Sequence, residues 1–311
     1  MADSTARVRW TTDLMTDVRG KHVVVTGGNS GLGLISVREF ARRGATVTLA
    51  ARNLEKAREI RQELTDQFGP LEIDIRELDL ASLESIRDFS AALATSPIDI
   101  LMNNAGIMAP PQSQTRDGFE TQFGVNHLGH FALTGHLMSG LQKALNPRVV
   151  TVSSNAHKVG TISFENLNAE KGYSAWGSYA QSKLANLLFA FELQRRADKA
   201  GLNLTSVAAH PGYSATNLSA SVVPSIKGLA RTAFQTIERA IAQSAEFGAL
   251  PQLFAATEPI PGGSYIGPDG YGEWRGYPKM STPLAAARDA DIAAKLWNVS
   301  MDLTNVRYLE N

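Results

Sequence analysis

Two residues of this 311-residue chain have types and spacing that point to chemistry: Tyr179 and Lys183, four positions apart. Residues four apart share one face of a helix, so a helix here sets a phenol beside an ammonium. An unperturbed phenol titrates near pH ~10, and a neighbouring cation stabilises the phenolate and lowers that value. Such a pair can give or take a proton at a reacting oxygen. Tyr and Lys often share helix faces, so the spacing gains meaning only from what surrounds it.

A glycine-rich turn comes first in the chain, Thr26-Gly-Gly-Asn-Ser-Gly-Leu-Gly33. It lies between an apolar run, residues 22–26, and a helical pattern that starts at Gly31. Glycines there let a pyrophosphate approach the backbone, and the free N–H groups of the helix N-terminus favour its charge. Gly27, Gly31 and Gly33 form the framework, at a spacing other than GxGxxG, with Asn29, Ser30 and Leu32 in the same turn. This context points to a dinucleotide. An NAD site usually has an Asp or Glu near the end of the second strand. Here Ala50-Ala-Arg-Asn53 offers no carboxylate and presents Arg52, which suits a 2′-phosphate. The alternative is that Arg52 merely opens a solvated helix; NADP(H) is the expected cofactor. Hydride transfer to or from nicotinamide needs a proton partner, and Tyr179 is the natural candidate.

These groups need a scaffold, and the chain supplies an alternating one. Apolar runs at 22–26, 45–50, 73–80, 98–102, 148–152 and 204–209 read as strands, with a short further strand near 264–266. Helical patterns cover 31–43, 54–68, 82–94, 119–145, 179–199, 244–256 and 283–303. Alternation of this kind signals an α/β fold, one doubly wound domain with a mostly parallel sheet and helices on both faces. No linker or repeat interrupts it.

Composition narrows the function classes. Thirty basic residues balance thirty acidic ones, which argues against nucleic acid as a partner. Cysteine is absent, so disulfides, thiolate metal sites and cysteine nucleophiles are excluded. The polar N-terminal stretch has no signal-peptide core, and no window reaches the roughly 18 apolar residues of a membrane span. A cytoplasmic protein without an integral membrane segment is expected. His127, His130 and His157 lack a closed set of ligands at metal-site spacing, so no metal is expected. No serine sits in a G-x-S-x-G elbow.

The glycine turn, Asn103-Asn-Ala-Gly106 and Tyr179-Ala-Gln-Ser-Lys183 together resemble the short-chain dehydrogenase/reductase family, with its Rossmann-type fold. Ser153-Ser-Asn-Ala-His157, Ser182-Lys-Leu-Ala-Asn186, His210-Pro-Gly212, Tyr265-Ile-Gly-Pro-Asp-Gly270 and Gly276-Tyr-Pro278 resemble its retinol dehydrogenase-like branch. Unlike the membrane-bound animal members of that branch, this chain is expected to lack an N-terminal apolar anchor.

The resemblance implies roles. Asp79 and Leu80 would bracket the adenine, and Asn104, Ala105 and Gly106 would line the cofactor. Asn103 and Asn104 could instead satisfy neighbouring backbone groups. Lys183 would also bind the nicotinamide ribose. Pro211 and Gly212 would shape the loop near the carboxamide, with Thr216 either a cofactor contact or a helix cap. Ser154 rather than its neighbour Ser153 would orient the substrate oxygen, a choice that rests on the resemblance alone. The segment between Ser154 and Tyr179 is longer than in most of the family, and 161–177 reads as the insertion. Asn126 would hold a water in the proton relay. The resemblance also allows a homodimer.

Residues 20–210 form the expected core and 211–245 a substrate lid. Leu218, Val222, Val223, Ile226, Leu229 and Phe234 give the lid an apolar character, and residues 108–111 offer a second wall. A hydrophobic alcohol, aldehyde or ketone, retinoid-, steroid- or lipid-like, is the expected substrate, unless the lid packs on its own domain or on a second subunit. The competing reading is a non-catalytic sensor of NADP(H), which has no need to keep Ser154, Tyr179 and Lys183 together.

Overall fold

The computed structural model describes residues 9–213 and 243–310. Thr216 and the six apolar residues assigned to the lid lie outside them. Among the described residues, eight strands form one sheet in the order β3-β2-β1-β4-β5-β6-β7-β8. They are β1 (His22–Thr26), β2 (Thr46–Ala51), β3 (Ile73–Glu77), β4 (Ile100–Asn103), β5 (Arg148–Val152), β6 (Thr205–Ala209), β7 (Tyr265–Pro268) and β8 (Pro278–Met280). The first seven pair in parallel, and β8 returns antiparallel to β7. The fold is therefore the α/β architecture expected, with a mostly parallel sheet.

The helices are α1 (Gly31–Ala41), α2 (Leu54–Phe68), α3 (Leu83–Ala91), α4 (Thr121–Phe123), α5 (Gly129–Lys143) and α6 (Ala175–Lys199). After 213 come α7 (Ala245–Thr257) and α8 (Ala290–Thr304). Strand side chains alternate between faces, which divides the core in two. Val23 and Val25 pack with Phe40 of α1, Ala57 of α2 and Leu253 of α7. Val24, between them, faces the other way and joins Phe131 of α5, Phe189 of α6 and Trp297 of α8.

Strand order reverses at β1, which has β2 on one side and β4 on the other. Ligands of open α/β sheets bind outside the carboxyl ends of the strands at such a switch point. The glycine turn leaves β1 there, and Asn104 leaves β4 beside it.

Several boundaries differ from the sequence reading, each for a local reason. The third strand stops at Glu77 rather than Leu80. The pattern over 119–145 is broken: α4 passes into α5 through a π turn at Gly124–Leu128, a form frequent at functional sites. Helix α6 starts at Ala175, capped by Ser174, whose hydroxyl accepts the N–H of Gly177. Tyr179 thus sits in its second turn and not at its end. The pattern over 283–303 is a 3-10 turn at Ala285–Arg288, then α8, separated by Asp289 in extended conformation as the α8 cap. Strand β8 was not anticipated, being three residues long, proline-led and largely exposed.

Candidate active site

A cavity of about 430 Å³ opens at the switch point. Gly27, Asn29, Ser30, Gly31, Leu32 and Gly33 line one part of it, and Arg52, Asp79 and Leu80 a second. Asn104, Ala105, Gly106, Tyr179, Lys183 and Pro211 complete it. Fifteen positions singled out from the sequence thus meet in one cleft. Ser154, Asn126 and Gly212 are not among the lining residues, but each follows one in the chain: Ser153, Val125 and Pro211.

The glycine turn is shaped by close approach. A Cβ on Gly33 would lie 2.3 Å from the carbonyl oxygen of Gly27 and 2.6 Å from Nδ2 of Asn104, so only glycine fits. Ser30 occupies the N-cap of α1 but makes no side-chain cap, which leaves the first-turn N–H groups of Gly31, Leu32 and Gly33, all cleft-lining residues, without a side-chain acceptor. Arg52 is exposed and has no ion pair or hydrogen bond among the described residues. Asn53, not Arg52, caps α2 by accepting the N–H of Lys56 at 2.9 Å. Asp79 is held by its own turn, accepting from the N–H of Ala81 at 3.0 Å.

Thr26, not anticipated as a site residue, organises the β1–β4 junction. Its buried hydroxyl accepts the N–H groups of Asn104 and Ala105, both at 2.9 Å. His130 Nδ1 lies 3.0 Å from the carbonyl oxygen of Asn126 and must donate to it. Its Nε2 is then the acceptor for the Thr26 hydroxyl at 2.9 Å. Burial pulls the His130 pKa down to about 4, in keeping with a neutral ring. The four-residue spacing of Asn126 and His130 was the available signal, but their link to Thr26 spans the fold. His127 instead faces Ser300, and His157 the carbonyl oxygen of Ser154. Each of the three histidines has its own separate partner.

Asn104 takes up both readings made of it. It lines the cleft, and its Nδ2 also donates to the Thr26 carbonyl oxygen at 2.8 Å. Buried Gln252 of α7, likewise unforeseen, donates to Asn104 Oδ1 at 3.1 Å. Asn103 points away and donates to Thr134 at 3.1 Å.

Asn126 sits in the π turn. Its Oδ1 accepts the N–H of Ile107 at 2.8 Å; its Nδ2 donates to the Ile107 carbonyl oxygen at 3.0 Å and to the Ser182 hydroxyl at 2.9 Å. Both amide hydrogens are engaged, so this side chain positions two walls, the Gly106–Ile107 edge and the α6 turn between Tyr179 and Lys183.

Tyr179 and Lys183 are both buried. Lys183 Nζ lies 5.7 Å from the centroid of the Tyr179 ring and donates to the carbonyl oxygen of Val152 at 3.2 Å. Burial lowers the Lys183 pKa to about 8. Burial also raises the Tyr179 pKa, with Ser154 pulling weakly the other way. The spacing alone suggested a phenol lowered by its lysine; in the folded protein burial shifts it the other way.

The two serines after β5 are now distinguishable. Ser153 turns inward and donates to the carbonyl oxygen of Lys183 at 2.7 Å. Ser154 faces the Tyr179 phenol, and its hydroxyl oxygen also accepts the N–H of Ala156 at 3.2 Å. The inserted segment reaches the opposite wall through Tyr173, which donates to the Pro110 carbonyl oxygen at 2.6 Å.

The family model described as short chain dehydrogenase matches residues 21–227. Mouse retinol dehydrogenase 14 is 40% identical over 296 residues, covering 91% of this chain and 85% of the relative. Human retinol dehydrogenase 13 is 37% identical over 295 residues, covering 93% and 86%. A crystal structure of an uncharacterized protein from Mycobacterium Paratuberculosis has a TM-score of 0.81 at 43% identity, covering 96% of this chain and 99% of that one. A Beutenbergia cavernae protein assigned as an NAD(P)-dependent gluconate 5-dehydrogenase, with NADP at low occupancy, has a TM-score of 0.62 at 25% identity, covering 78% and 91%. Cleft, sheet order and sequence agree: the chain belongs to the short-chain dehydrogenase family, as a retinol dehydrogenase-like oxidoreductase that transfers hydride between a nicotinamide cofactor and a CH–OH or C=O group.

Proposed function

We propose that the chain is an NADP(H)-dependent reductase or dehydrogenase acting on hydrophobic carbonyls and alcohols. Arg52 carries the cofactor preference. It is a guanidinium unpartnered among the described residues, on the cleft wall at the end of β2, with alanines before it where an NAD site would hold a carboxylate. Glu77 of the neighbouring strand pairs with Ala51, the residue before Arg52, and makes no ion pair with it. The cleft fits a dinucleotide: the uncapped N-terminus of α1 suits a pyrophosphate, and Lys183 lies in reach of the far end.

When bound, the cofactor supplies or accepts the hydride. The residues handle the proton. Tyr179, whose protonated form burial favours further, is poised to protonate the oxygen of a carbonyl being reduced. The Ser154 hydroxyl faces the same point and can donate to that oxygen, stabilising charge as it develops. Lys183 adds positive charge at the base of the site, and Asn126 and Ser153 hold the backbone that carries these groups. Beside them Ile107, Met108, Pro110 and Val125 make an apolar wall, and Trp176 packs edge-on to Tyr179 at 6.2 Å. That wall supports an apolar substrate. The test is titration of the protein with NADPH and NADH: the reading requires NADPH to bind at least about tenfold tighter, roughly the 1.4 kcal/mol of one charge-assisted contact. Tighter NADH binding contradicts it.

A further inference from the structure

Behind the nicotinamide end of the cleft lies a charged residue that the proposed chemistry leaves unused. Glu273 sits in the loop between β7 and β8 in a left-handed conformation, φ 58°. A side chain other than glycine rarely adopts that region without compensation. Its carboxylate is mostly buried, 14% exposed, and its pKa is drawn down to about 2, first by His210.

The contacts of Glu273 run to both walls of the site. On one side Oε2 lies 3.4 Å from Nε2 of His210, whose side chain is fully buried. His210 Nδ1 accepts the N–H of Gly212 at 3.3 Å, so its proton resides on Nε2, which forms no aligned hydrogen bond and has the Glu273 carboxylate beside it at 3.4 Å. Gly212 has φ 68°, and a Cβ there would lie 2.3 Å from the carbonyl oxygen of Trp274, the next residue after Glu273. The Pro211–Gly212 turn is thus moulded against the Glu273 loop. On the other side the Glu273 carbonyl oxygen accepts from Asn155 Nδ2 at 3.2 Å, next to Ser154. His157 strengthens that side: Nδ1 donates to the Ser154 carbonyl oxygen at 2.7 Å, and Nε2 accepts the N–H of Leu284 at 3.2 Å. The Tyr265 ring lies between the two histidines, with centroids 5.1 Å from His210 and 5.6 Å from His157.

We propose that Glu273 is a positioning residue that sets the distance between the Pro211–Gly212 turn and the Ser154 strand end, and so fits the site to the nicotinamide half of the cofactor. The inference rests on the cofactor reading above. Removing the carboxylate charge takes away the electrostatic partner that faces the buried Nε2–H of His210 at 3.4 Å, a loss that lets the ring and its turn shift. Arg52 and Asp79, which would hold the adenosine half, follow β2 and β3 on the other side of β1 and do not touch Glu273.

Glu273→Gln is the direct variant, measured by equilibrium binding of NADPH and of 2′,5′-ADP, which carries only the adenosine half. The expected result is about tenfold weaker NADPH binding with 2′,5′-ADP binding unchanged. Lys158→Met and Lys279→Met remove the surface partners of Glu273, at 3.3 and 3.9 Å, and leave His210 paired. Both should bind NADPH as the wild type does. Equal weakening of both ligands in Glu273→Gln, or no weakening of either, overturns the proposal. If the wild type prefers NADH, the NADP(H) reading fails separately, and the same comparison with NADH and ADP still decides the role of Glu273. His210→Asn repeats the test from the other partner and should weaken the nicotinamide-bearing ligand alone.

Discussion

The Ser153 hydroxyl donates to the carbonyl oxygen of Lys183 at 2.7 Å, tying the end of β5 to the helix that carries the proton-handling pair. Its neighbour Ser154 faces Tyr179 instead. Two chemically identical residues therefore do different work, and their variants should separate. Ser154→Ala should lower kcat about a hundredfold or more, as loss of an oxyanion donor does, with little change in stability. Ser153→Ala should lose about 1–2 kcal/mol of stability and keep most of its kcat, because it frees a buried carbonyl. Steady-state kinetics with urea unfolding of both variants checks this, and the reverse pattern would exchange their roles.

Lys183 makes stability depend on pH. Burial holds its folded pKa near 8, against 10.5 for a lysine in water. Between those values the unfolded chain binds the extra proton, so stability rises with pH there. Below pH 8 the full cost of burying the charge is present, on the order of 3 kcal/mol. Lys183→Met should therefore stabilise the cofactor-free protein at pH 7, with an advantage that shrinks toward pH 10 while activity is lost. Denaturant midpoints of both proteins at the two pH values test it. An advantage that grows with pH would contradict the assigned shift.

Arg52→Asp should swing cofactor preference. It removes the free guanidinium and installs the carboxylate that suits a ribose hydroxyl. The ratio of NADPH to NADH efficiency should fall by about a hundredfold or more, from one lost charge-assisted contact and one new repulsion. An unchanged ratio would move the phosphate contact elsewhere.

Thr26→Val keeps the shape of the side chain but strips the acceptor from the N–H groups of Asn104 and Ala105. The loss should be about 2 kcal/mol, with faster hydrogen exchange at those two amides. Unchanged exchange would show that the hydroxyl does not organise the junction.

Much of this molecule was legible in the chain before folding. The bounds of β1, α2 and β5 follow from apolar runs and helical patterning, because local pattern decides those elements. The cleft from Gly27 to Lys183 was legible because each motif sits at the carboxyl end of its own strand or on the helix that follows. What escaped was set by distant partners. Thr26, His130 and Gln252 act through contacts that no local spacing encodes. The π turn and the left-handed Glu273 are backbone states imposed by tertiary packing. Desolvation of Tyr179 depends on burial, so the direction of its shift could not follow from a four-residue spacing.

The central claim is that Tyr179 delivers the proton beside an NADPH-dependent hydride transfer. The most direct measurement is NADPH oxidation across a panel of hydrophobic aldehydes and ketones, for the wild type and Tyr179→Phe, with NADPH affinity measured for both. The account predicts turnover by the wild type, at least about a hundredfold less by Tyr179→Phe, and matching NADPH affinities. A Tyr179→Phe variant that oxidises NADPH as fast as the wild type would contradict it.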